Sequence, residues 1–170
     1  MQVVHYPNPV LRGGGKPVES FGKELETLAA DMLATMYESS GVGLAAPQVG
    51  LAMNLLVLNP TGETTDRTDE LVLVNPRILE RKKIEYGQEG CLSFPGIYAE
   101  VERHKQIVVA YQDVTGKAIE RKLGDFLARI VQHELDHLNG VLFVDRLSPA
   151  DRLRVRTSLE RLEERWRAGA

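Results

Sequence analysis

The sequence predicts an α+β domain in which antiparallel β-sheets pack around a central helix, with one helix near the N-terminus and one at the C-terminus. Short β-like runs occupy the middle of the chain, and helical apolar periodicities lie before and after them. Strands and helices do not alternate as they do in a parallel βαβ fold. Because 170 residues correspond to about one domain, we predict a single domain over residues 1–170.

The first helix is predicted over residues 22–37, where apolar residues recur at three- and four-residue steps. A breaker-rich segment at residues 39–41 ends it. The next segment, residues 41–48, contains too much glycine and proline for a helix interior. The residues on the apolar face are Leu25, Leu28, Ala29, Met32 and Met36.

Short β-like runs follow at residues 54–58, 71–74, 97–101 and 106–112. The polar stretch at residues 61–69 is predicted to be an exposed hairpin loop. A turn at residues 113–116 joins the last of these strands to a further strand over residues 117–123.

Two more helices are predicted in the C-terminal half. One begins near Asp125 and runs through Leu138, with Gly140 just past its end. The other begins after Ser148, a residue type that caps helices, and carries proline in its first turn. Its apolar stripe consists of Val155, Leu159, Leu162 and Trp166.

Composition narrows the class of protein. Hydrophobic residues make up 43% and charged residues 26%, as in ordinary globular domains, and a net charge of −3 argues against a broad nucleic-acid-binding face. The single cysteine, Cys91, excludes an intrachain disulfide and fits a reducing compartment. No apolar run reaches the length of a signal peptide or a membrane span, so we expect a soluble, intracellular protein.

The segment QHELDH (132–137) carries the most chemical information. His133 and His137 are four residues apart on the predicted second helix, so both imidazoles leave one face and can reach one divalent metal ion. Glu134 lies beside them, where a carboxylate can handle protons of a bound water without being a ligand. The pattern predicts a metal site that needs a third ligand.

Three positions compete for that third ligand. In one zinc-protease pattern the ligand falls at Phe143, which cannot bind a metal. A second protease pattern takes a glutamate from a later helix, where Glu160 stands, although its charged helix favours a solvated residue. Cys91 lies in QEGCLSFPG (88–96), where glycines and a Pro-Gly pair favour a loop or strand edge that suits a ligand. A lone cysteine is otherwise a buried apolar residue.

Three segments together resemble the signature motifs of the peptide deformylase family: GVGLAAPQ (41–48), EGCLS (89–93) and QHELDH (132–137). Their order and separations fit that family. The resemblance extends to LVLVNP (71–76) and GVLFVDRLSP (140–149), and the variant EGCLSFP is similar to a branch shared by some bacteria and plant organelles.

The resemblance implies a metal-dependent hydrolase that removes the N-formyl group from the initiator formyl-methionine of new polypeptides and releases formate. It implies Cys91, His133 and His137 as ligands of one divalent ion, with a fourth position left for water or substrate. Family members typically use Fe²⁺ and also accept zinc, nickel or cobalt.

Catalytic roles follow from the same resemblance. Glu134 would be the general base toward water and then the acid that protonates the departing amine. The side-chain amide of Gln48 and the backbone N–H of Leu92 would stabilise the developing oxyanion.

Substrate contacts are expected on two elements. The resemblance implies main-chain pairing of Val42 and Gly43 with the formyl-methionyl residue. Phe126 and Ile130 precede His133 by seven and three residues on its helix face, so they either wall a pocket for the methionine side chain or belong to the ordinary core.

Three further features stay open. Asp136 would orient a ligand histidine, pair with Arg103, or be an ordinary helix charge. Tyr98 stands where other family members often carry arginine, so a cationic contact to the peptide is in doubt. The C-terminal helix carries six arginines against four acids, a modest excess that favours a solvated surface over a transient ribosome contact.

Three function classes compete. The first is a deformylase, located in bacterial cytoplasm or in an organelle after processing. The second is an endoprotease that uses Glu160 as its third ligand. The third is a peptide-binding protein with a structural or degenerate site, which the presence of both Glu134 and Gln48 disfavours. The motifs favour the deformylase.

Overall fold

The secondary structure is that of an α+β protein, as the sequence predicts. The computed structural model describes residues 1–169; Ala170, the last residue of the predicted domain, lies outside the described residues. The helices are α1 (Lys23–Glu38), α2 (Asp125–Leu138) and α3 (Pro149–Arg167). The strands are β1 (Gly43–Ala45), β2 (Leu55–Leu58), β3 (Leu71–Gly90), β4 (Tyr98–Gln112) and β5 (Ala118–Gly124). Short 3₁₀ helices lie at Pro9–Arg12, Ala46–Val49 and Phe143–Arg146.

The strands form one antiparallel sheet in the order β1-β2-β3-β4-β5. Each strand pairs with its neighbour in the chain, so every connection is a hairpin. The predicted loop at residues 61–69 joins β2 to β3, and the predicted turn at residues 113–116 joins β4 to β5. Both predictions are confirmed.

The lengths of β3 and β4 differ from the sequence prediction. The run predicted at residues 71–74 is only the start of β3, and the runs predicted at 97–101 and 106–112 are parts of one strand, β4. These two strands pair from Val74 opposite Gln112 to Gly90 opposite Tyr98. The sequence does not show that β4 is continuous, and this has a physical cause. Arg103 of β4 points toward the protein interior and is buried with its ion-pair partners, so no apolar residue marks that position.

Helix α2 lies at the centre of the molecule. Its inner face packs with residues of the sheet in one apolar cluster, which includes Val131 and Ile130 of α2 and Val109 of β4. The described bounds of α2, from Asp125 to Leu138, agree with the prediction. The helix therefore holds its motif residues under the sheet.

The two outer helices complete the core. Helix α1 buries the predicted face, except that Leu28 is only partly buried. Ser148 caps α3, its side chain accepting a hydrogen bond from the N–H of Asp151. On α3 only part of the predicted apolar stripe is buried: Val155 and Leu162 pack inward, whereas Trp166, near the end of the helix, is exposed. None of the helices among residues 1–169 is long and apolar enough to span a membrane.

Candidate active site

Helix α2 brings His133 and His137 to one buried position. The two residues are one helical turn apart, and their ring centroids are 5.2 Å from each other. Both side chains are buried. The spacing argument from the sequence therefore holds in three dimensions.

Cys91 faces these two histidines from the segment that follows β3. Its Sγ lies 3.4 Å from Nε2 of His137, and one potential ligand atom from each of Cys91, His133 and His137 lies within 4.8 Å of the others. A thiolate and two imidazoles suit a transition metal ion, and three protein ligands are the number that leaves a position open for chemistry. The donor set fits a divalent metal.

The alternative third ligands are not at this position. Glu160 lies on α3, exposed to solvent, and pairs with Arg156 at 2.9 Å. Phe143 is buried beside His133, with its ring centroid 5.9 Å from the imidazole. The expectation that Glu160 could complete a protease-type site is wrong, because its helix carries it to the surface.

Glu134 is buried next to the candidate ligands and to β1. A Cβ on Gly43 would lie 2.6 Å from Oε1 of Glu134 and 2.8 Å from Cγ2 of Ile130, so only glycine lets the strand approach this closely. Oε2 of Glu134 is buried and has no hydrogen-bond partner within residues 1–169. Burial, together with repulsion from Glu89 and Asp136, raises the pKa of Glu134 to about 7.

Gln48 and Leu92 both lie close to Cys91. The Oε1 atom of Gln48 accepts a hydrogen bond from the N–H of Ala45 (2.8 Å), which fixes the amide so that Nε2 points toward the cysteine. Nε2 lies 3.5 Å from Sγ of Cys91 and donates to Oγ of Ser93 (3.2 Å). Leu92 follows the cysteine directly and packs its side chain against Gly41. Gln48 and Leu92 are therefore beside the candidate ligand Cys91.

Sequence reasoning assigned no role to Glu89, which holds His133 in place. Oε2 of Glu89 lies 2.8 Å from Nδ1 of His133. Arg103 donates to both carboxylate oxygens, at 2.8 and 3.0 Å, and Arg129 donates to Oε1 at 3.0 Å. Burial opposes the charged form, but the hydrogen bonds with His133 and Arg103 outweigh it and lower the pKa of Glu89 below its ordinary value. One signal in the sequence could have indicated this role. Glu89 lies two residues before Cys91, and alternate residues of a strand point to the same face, here the face toward α2.

The open question about Asp136 is answered in favour of its pairing with Arg103. Nη1 of Arg103 donates to Oδ2 of Asp136 at 2.6 Å, and Nη2 of Arg146 donates to Oδ1 at 2.6 Å. Asp136 therefore acts on the site through Arg103 and Glu89, and not by touching a histidine directly.

The two histidines differ in their surroundings. Burial lowers the pKa of His137 well below its usual value, and its Nδ1 has no partner among the described residues. Burial also disfavours the charged form of His133, but hydrogen bonds to Cys91 and Glu89 outweigh it and raise the pKa of His133. Neutral imidazole at His137 is the form that binds a metal.

Two adjoining cavities open onto Glu134 and His133. The larger, about 600 Å³, runs past Cys91 and Leu92. The smaller, about 250 Å³, is lined by Val42, Phe126 and Ile130. Phe126 is exposed and Ile130 is buried; of the predicted substrate contacts, Gly43 lines only the larger cavity and Val42 lines both.

Tyr98 lies between the two cavities and lines both. A Cβ on Gly90 would be 2.6 Å from Cε1 of Tyr98, so the ring covers the backbone just before the cysteine. At this position the chain presents an aromatic surface instead of a cation.

The fold and the site together define a class: an α+β protein whose central helix carries a His-Glu-x-x-His motif beside a cysteine that completes a candidate mononuclear metal centre. The chain belongs to the polypeptide deformylase family, whose model matches residues 1–153.

The comparisons with individual proteins agree with that family. The chain is 44% identical over 167 residues to the chloroplastic peptide deformylase 1B of Oryza sativa, covering 98% of this chain but 62% of the rice protein. It is 45% identical to the peptide deformylase of Thermotoga maritima, covering 91% of each. Thus the chain spans about three fifths of the plant relative and nearly all of the bacterial one.

Solved structures give the same result. The fold superposes on a plant peptide deformylase with a TM-score of 0.97 and 43% identity, covering 100% of this chain and 92% of the other. It superposes on a peptide deformylase from Legionella pneumophila with a TM-score of 0.87 and 42% identity, covering 98% and 96%.

Proposed function

We propose that this chain is a metal-dependent peptide deformylase, which hydrolyses the N-formyl group of N-formylmethionyl peptides and releases formate. The observation that supports this most directly is the convergence of Cys91 with His133 and His137 beside a buried Glu134. Family membership supplies the substrate class, since the matched relatives are named peptide deformylases.

Cys91, His133 and His137 would hold one divalent ion. When bound, such an ion lowers the pKa of water and polarises a carbonyl oxygen. We propose Fe²⁺ as the native ion, with zinc, nickel or cobalt as substitutes, because the resemblance to the family implies it; a thiolate and two imidazoles suit a transition metal ion.

Glu134 would move the proton. Its carboxylate lies in the buried wall shared by both cavities, with one oxygen free of any hydrogen bond in the described chain. A pKa of about 7 is near the value that lets one group take a proton from the attacking water and return it to the departing amine.

Gln48 and Leu92 would stabilise the negative charge that develops on the formyl oxygen. The amide of Gln48 is fixed by Ala45 with its Nε2 3.5 Å from Sγ of Cys91, and the backbone N–H of Leu92 belongs to the residue that follows Cys91 in the chain. Donors that are fixed before the reaction need no reorganisation in the transition state, which is why each is worth about 2.7–4 kcal/mol.

The substrate would bind as an extended chain. The backbone of Val42 and Gly43 would pair with the formyl-methionyl residue, in the manner of an added strand. The methionine side chain would fill the smaller cavity, against Phe126 and Ile130.

Bacterial cytoplasm, or an organelle after processing, is the proposed location, because both bacterial and chloroplastic relatives match. We also propose a transient contact between α3 and the ribosome. Three of the α3 arginines pair with acids of the same helix, so the contact would be weak and sensitive to salt.

The test is a formate-release assay on formyl-Met-Ala-Ser, with protein purified anaerobically and its metal content measured. We expect Cys91→Ala to lose both metal and activity, because it removes a ligand. Glu134→Ala should keep the metal and lose activity by a factor of about 10²–10⁴.

Glu160→Ala is the control, because Glu160 is an exposed residue that pairs with Arg156. It should leave metal content and formate release unchanged. A wild-type protein that binds metal and formylated peptide but releases no formate would favour the peptide-binding function instead. Full activity in Glu134→Ala would contradict the proton-transfer role.

A further inference from the structure

The first residues of the chain form an extended segment beside the candidate oxyanion donors; we refer to residues 3–6 as the N-terminal strap. The N–H of Val4 donates to the carbonyl oxygen of Gln48 at 2.7 Å. The N–H of Tyr6 donates to the carbonyl oxygen of Ser93 at 2.9 Å. Two alternate residues of the strap therefore fasten to two segments that are 45 residues apart in the sequence.

These same two segments also meet through their side chains. Nε2 of Gln48 donates to Oγ of Ser93 at 3.2 Å, and both residues are fully buried. The contacts therefore close a ring: from the strap to the Gln48 backbone, through the Gln48 amide to Ser93, and from the Ser93 backbone back to the strap.

We propose that the backbone N–H of Val4 is a positioning group for Gln48, and that the N-terminal strap sets the distance between the Gln48 amide and the cluster at Cys91. The inference rests on the proposed function, because it assigns the strap an effect on the oxyanion donor of that site. Val3 and His5 of the strap line the larger cavity, whereas the N–H groups of Val4 and Tyr6 donate to Gln48 and Ser93, and the proposed effect runs through these two hydrogen bonds.

The geometry favours a positioning effect because Ala45 and Ser93 hold only the side-chain amide of Gln48, whereas its backbone carbonyl accepts from Val4. The residue sits in the one-turn 3₁₀ helix Ala46–Val49, with Gly50 in the left-handed conformation directly after it. A short helix of this kind is a weak framework by itself. The carbonyl of Gln48 is buried, so losing the Val4 N–H leaves an acceptor unpaired and favours a shift of the whole turn.

Other contacts keep the strap in place without this hydrogen bond. The ring of Tyr6 stacks on Phe94 with centroids 4.9 Å apart, and the side chain of Val4 packs against the cluster that contains Phe94. The hydroxyl of Tyr6 donates to Glu163 of α3 at 2.7 Å. Removing one N–H should therefore loosen Gln48 while leaving the strap docked.

Val4→Pro tests this with the metal-loaded protein, because proline suits an extended segment and lacks the N–H. We expect kcat for formyl-Met-Ala-Ser to fall about 10-fold or more, toward the 10²–10³-fold loss caused by removing an oxyanion donor, with KM changed less than about 3-fold. Gln2→Pro is the matched control, because the Gln2 N–H has no acceptor among residues 1–169. It should change kcat less than about 2-fold.

A double-mutant cycle separates positioning from general damage. In a Gln48→Ala background, Val4→Pro should lower kcat less than about 2-fold further, because its target is already gone. Equal losses in both backgrounds would overturn the proposal, and so would an unchanged kcat in Val4→Pro alone.

A second measurement does not depend on activity. In the zinc-loaded protein, the side-chain amide protons of Gln48, identified by their absence in Gln48→Ala, should exchange faster with solvent in Val4→Pro and be unchanged in Gln2→Pro. Unchanged exchange in Val4→Pro would overturn the strap's role even if the wild-type protein released no formate. Absence of formate release from the wild type would, in contrast, contradict only the proposed function.

Discussion

At the scale of single residues, Glu89 shows how a buried charge can serve a metal site. Its carboxylate accepts from two arginines and faces Nδ1 of His133, so the other nitrogen of that ring is turned toward Cys91. Fixing the far nitrogen of a ligand histidine sets both its tautomer and its direction. The two arginines keep Glu89 charged in a place where an unpaired carboxylate would be protonated.

Glu89→Gln should therefore weaken the site without removing a ligand. We expect the affinity for zinc to fall about 10–100-fold, the usual effect of losing a partner behind a ligand histidine. The free energy of unfolding should fall, by at most about 3–5 kcal/mol, because Arg103 and Arg129 lose the buried carboxylate they share and Arg103 keeps only its pair with Asp136. Competition with a chelator measures the affinity, and urea unfolding of the zinc form measures the stability.

Glu85→Gln is the matched control for this substitution. Glu85 also faces Arg129, but at 3.7 Å and partly exposed. Both quantities should stay close to the wild-type values. A zinc affinity in Glu89→Gln within 2-fold of the wild type would show that His133 is oriented by packing alone.

At the scale of elements, the helices could be predicted from the sequence and the long hairpin could not. Helices α2 and α3 combine an apolar period with end signals, and both begin within one residue of the prediction. In β3 most residues between 77 and 90 are exposed. The buried positions near the site hold charged residues, Glu89 in β3 and Arg103 in β4. The ion-paired side chains at these positions are as buried as apolar core residues, but charged residues do not produce the alternation of apolar and polar residues that predicts a strand.

Helix α3 makes a prediction that belongs to this scale. Arg161 and Arg165 form no ion pair among residues 1–169, whereas Arg156 pairs with Glu160. If α3 touches the ribosome, replacing both Arg161 and Arg165 by glutamine should reduce cosedimentation with ribosomes at low salt. The effect should disappear at high salt, because exposed charges are screened.

Arg156→Gln serves as the control for α3, since it removes one arginine of the same helix whose charge is already paired. It should change cosedimentation less than the double substitution does. Equal cosedimentation of the wild type and the double variant would mean that α3 is an ordinary solvated surface.

At the scale of the whole molecule, the residues of the candidate site could be predicted from the sequence, but the contacts that hold them in place could not. The three ligand candidates, Glu134 and Gln48 were identified from motifs, and the structure brings them together although Cys91 and His137 are 46 residues apart. The hydrogen bonds that join the N-terminal strap to Gln48 and Ser93 depend on backbone groups. Since almost every residue type carries these groups, the sequence does not indicate such contacts. The same is true of the close approach of Gly43 to Glu134, which only coordinates reveal.

The N-terminal and C-terminal parts of the chain are also joined by an ion pair. Arg12 donates to Asp145 from both terminal nitrogens, and the N–H of Leu142 donates to the same carboxylate at 2.9 Å. Burial opposes the charged form, but these bonds outweigh it and lower the pKa of Asp145 below its usual value. Folding therefore favours the ionised carboxylate.

This sets the direction of a pH effect on stability. The contribution of Asp145 is present above its unfolded pKa, about 4, and is lost as the pH falls through the lower folded value. Asp145→Asn should lower the free energy of unfolding at pH 7 by about 1 kcal/mol, a modest value because the pair is partly exposed. Below about pH 4 the difference from the wild type should shrink, since the carboxyl group of the unfolded chain is then protonated, and it should shrink further as the pH passes the lower pKa of the folded state.

Urea unfolding of both proteins across this pH range measures the difference and cancels the titrations they share. Glu26→Gln breaks the exposed pair with Lys23 and should have almost no effect at any pH, because such pairs contribute little. A difference between Asp145→Asn and the wild type that stayed constant down to pH 3 would mean that shape and not charge joins the two ends of the chain. The expected loss on acidification would instead mean that the Arg12–Asp145 pair holds the end of the N-terminal 3₁₀ helix in a pH-dependent way.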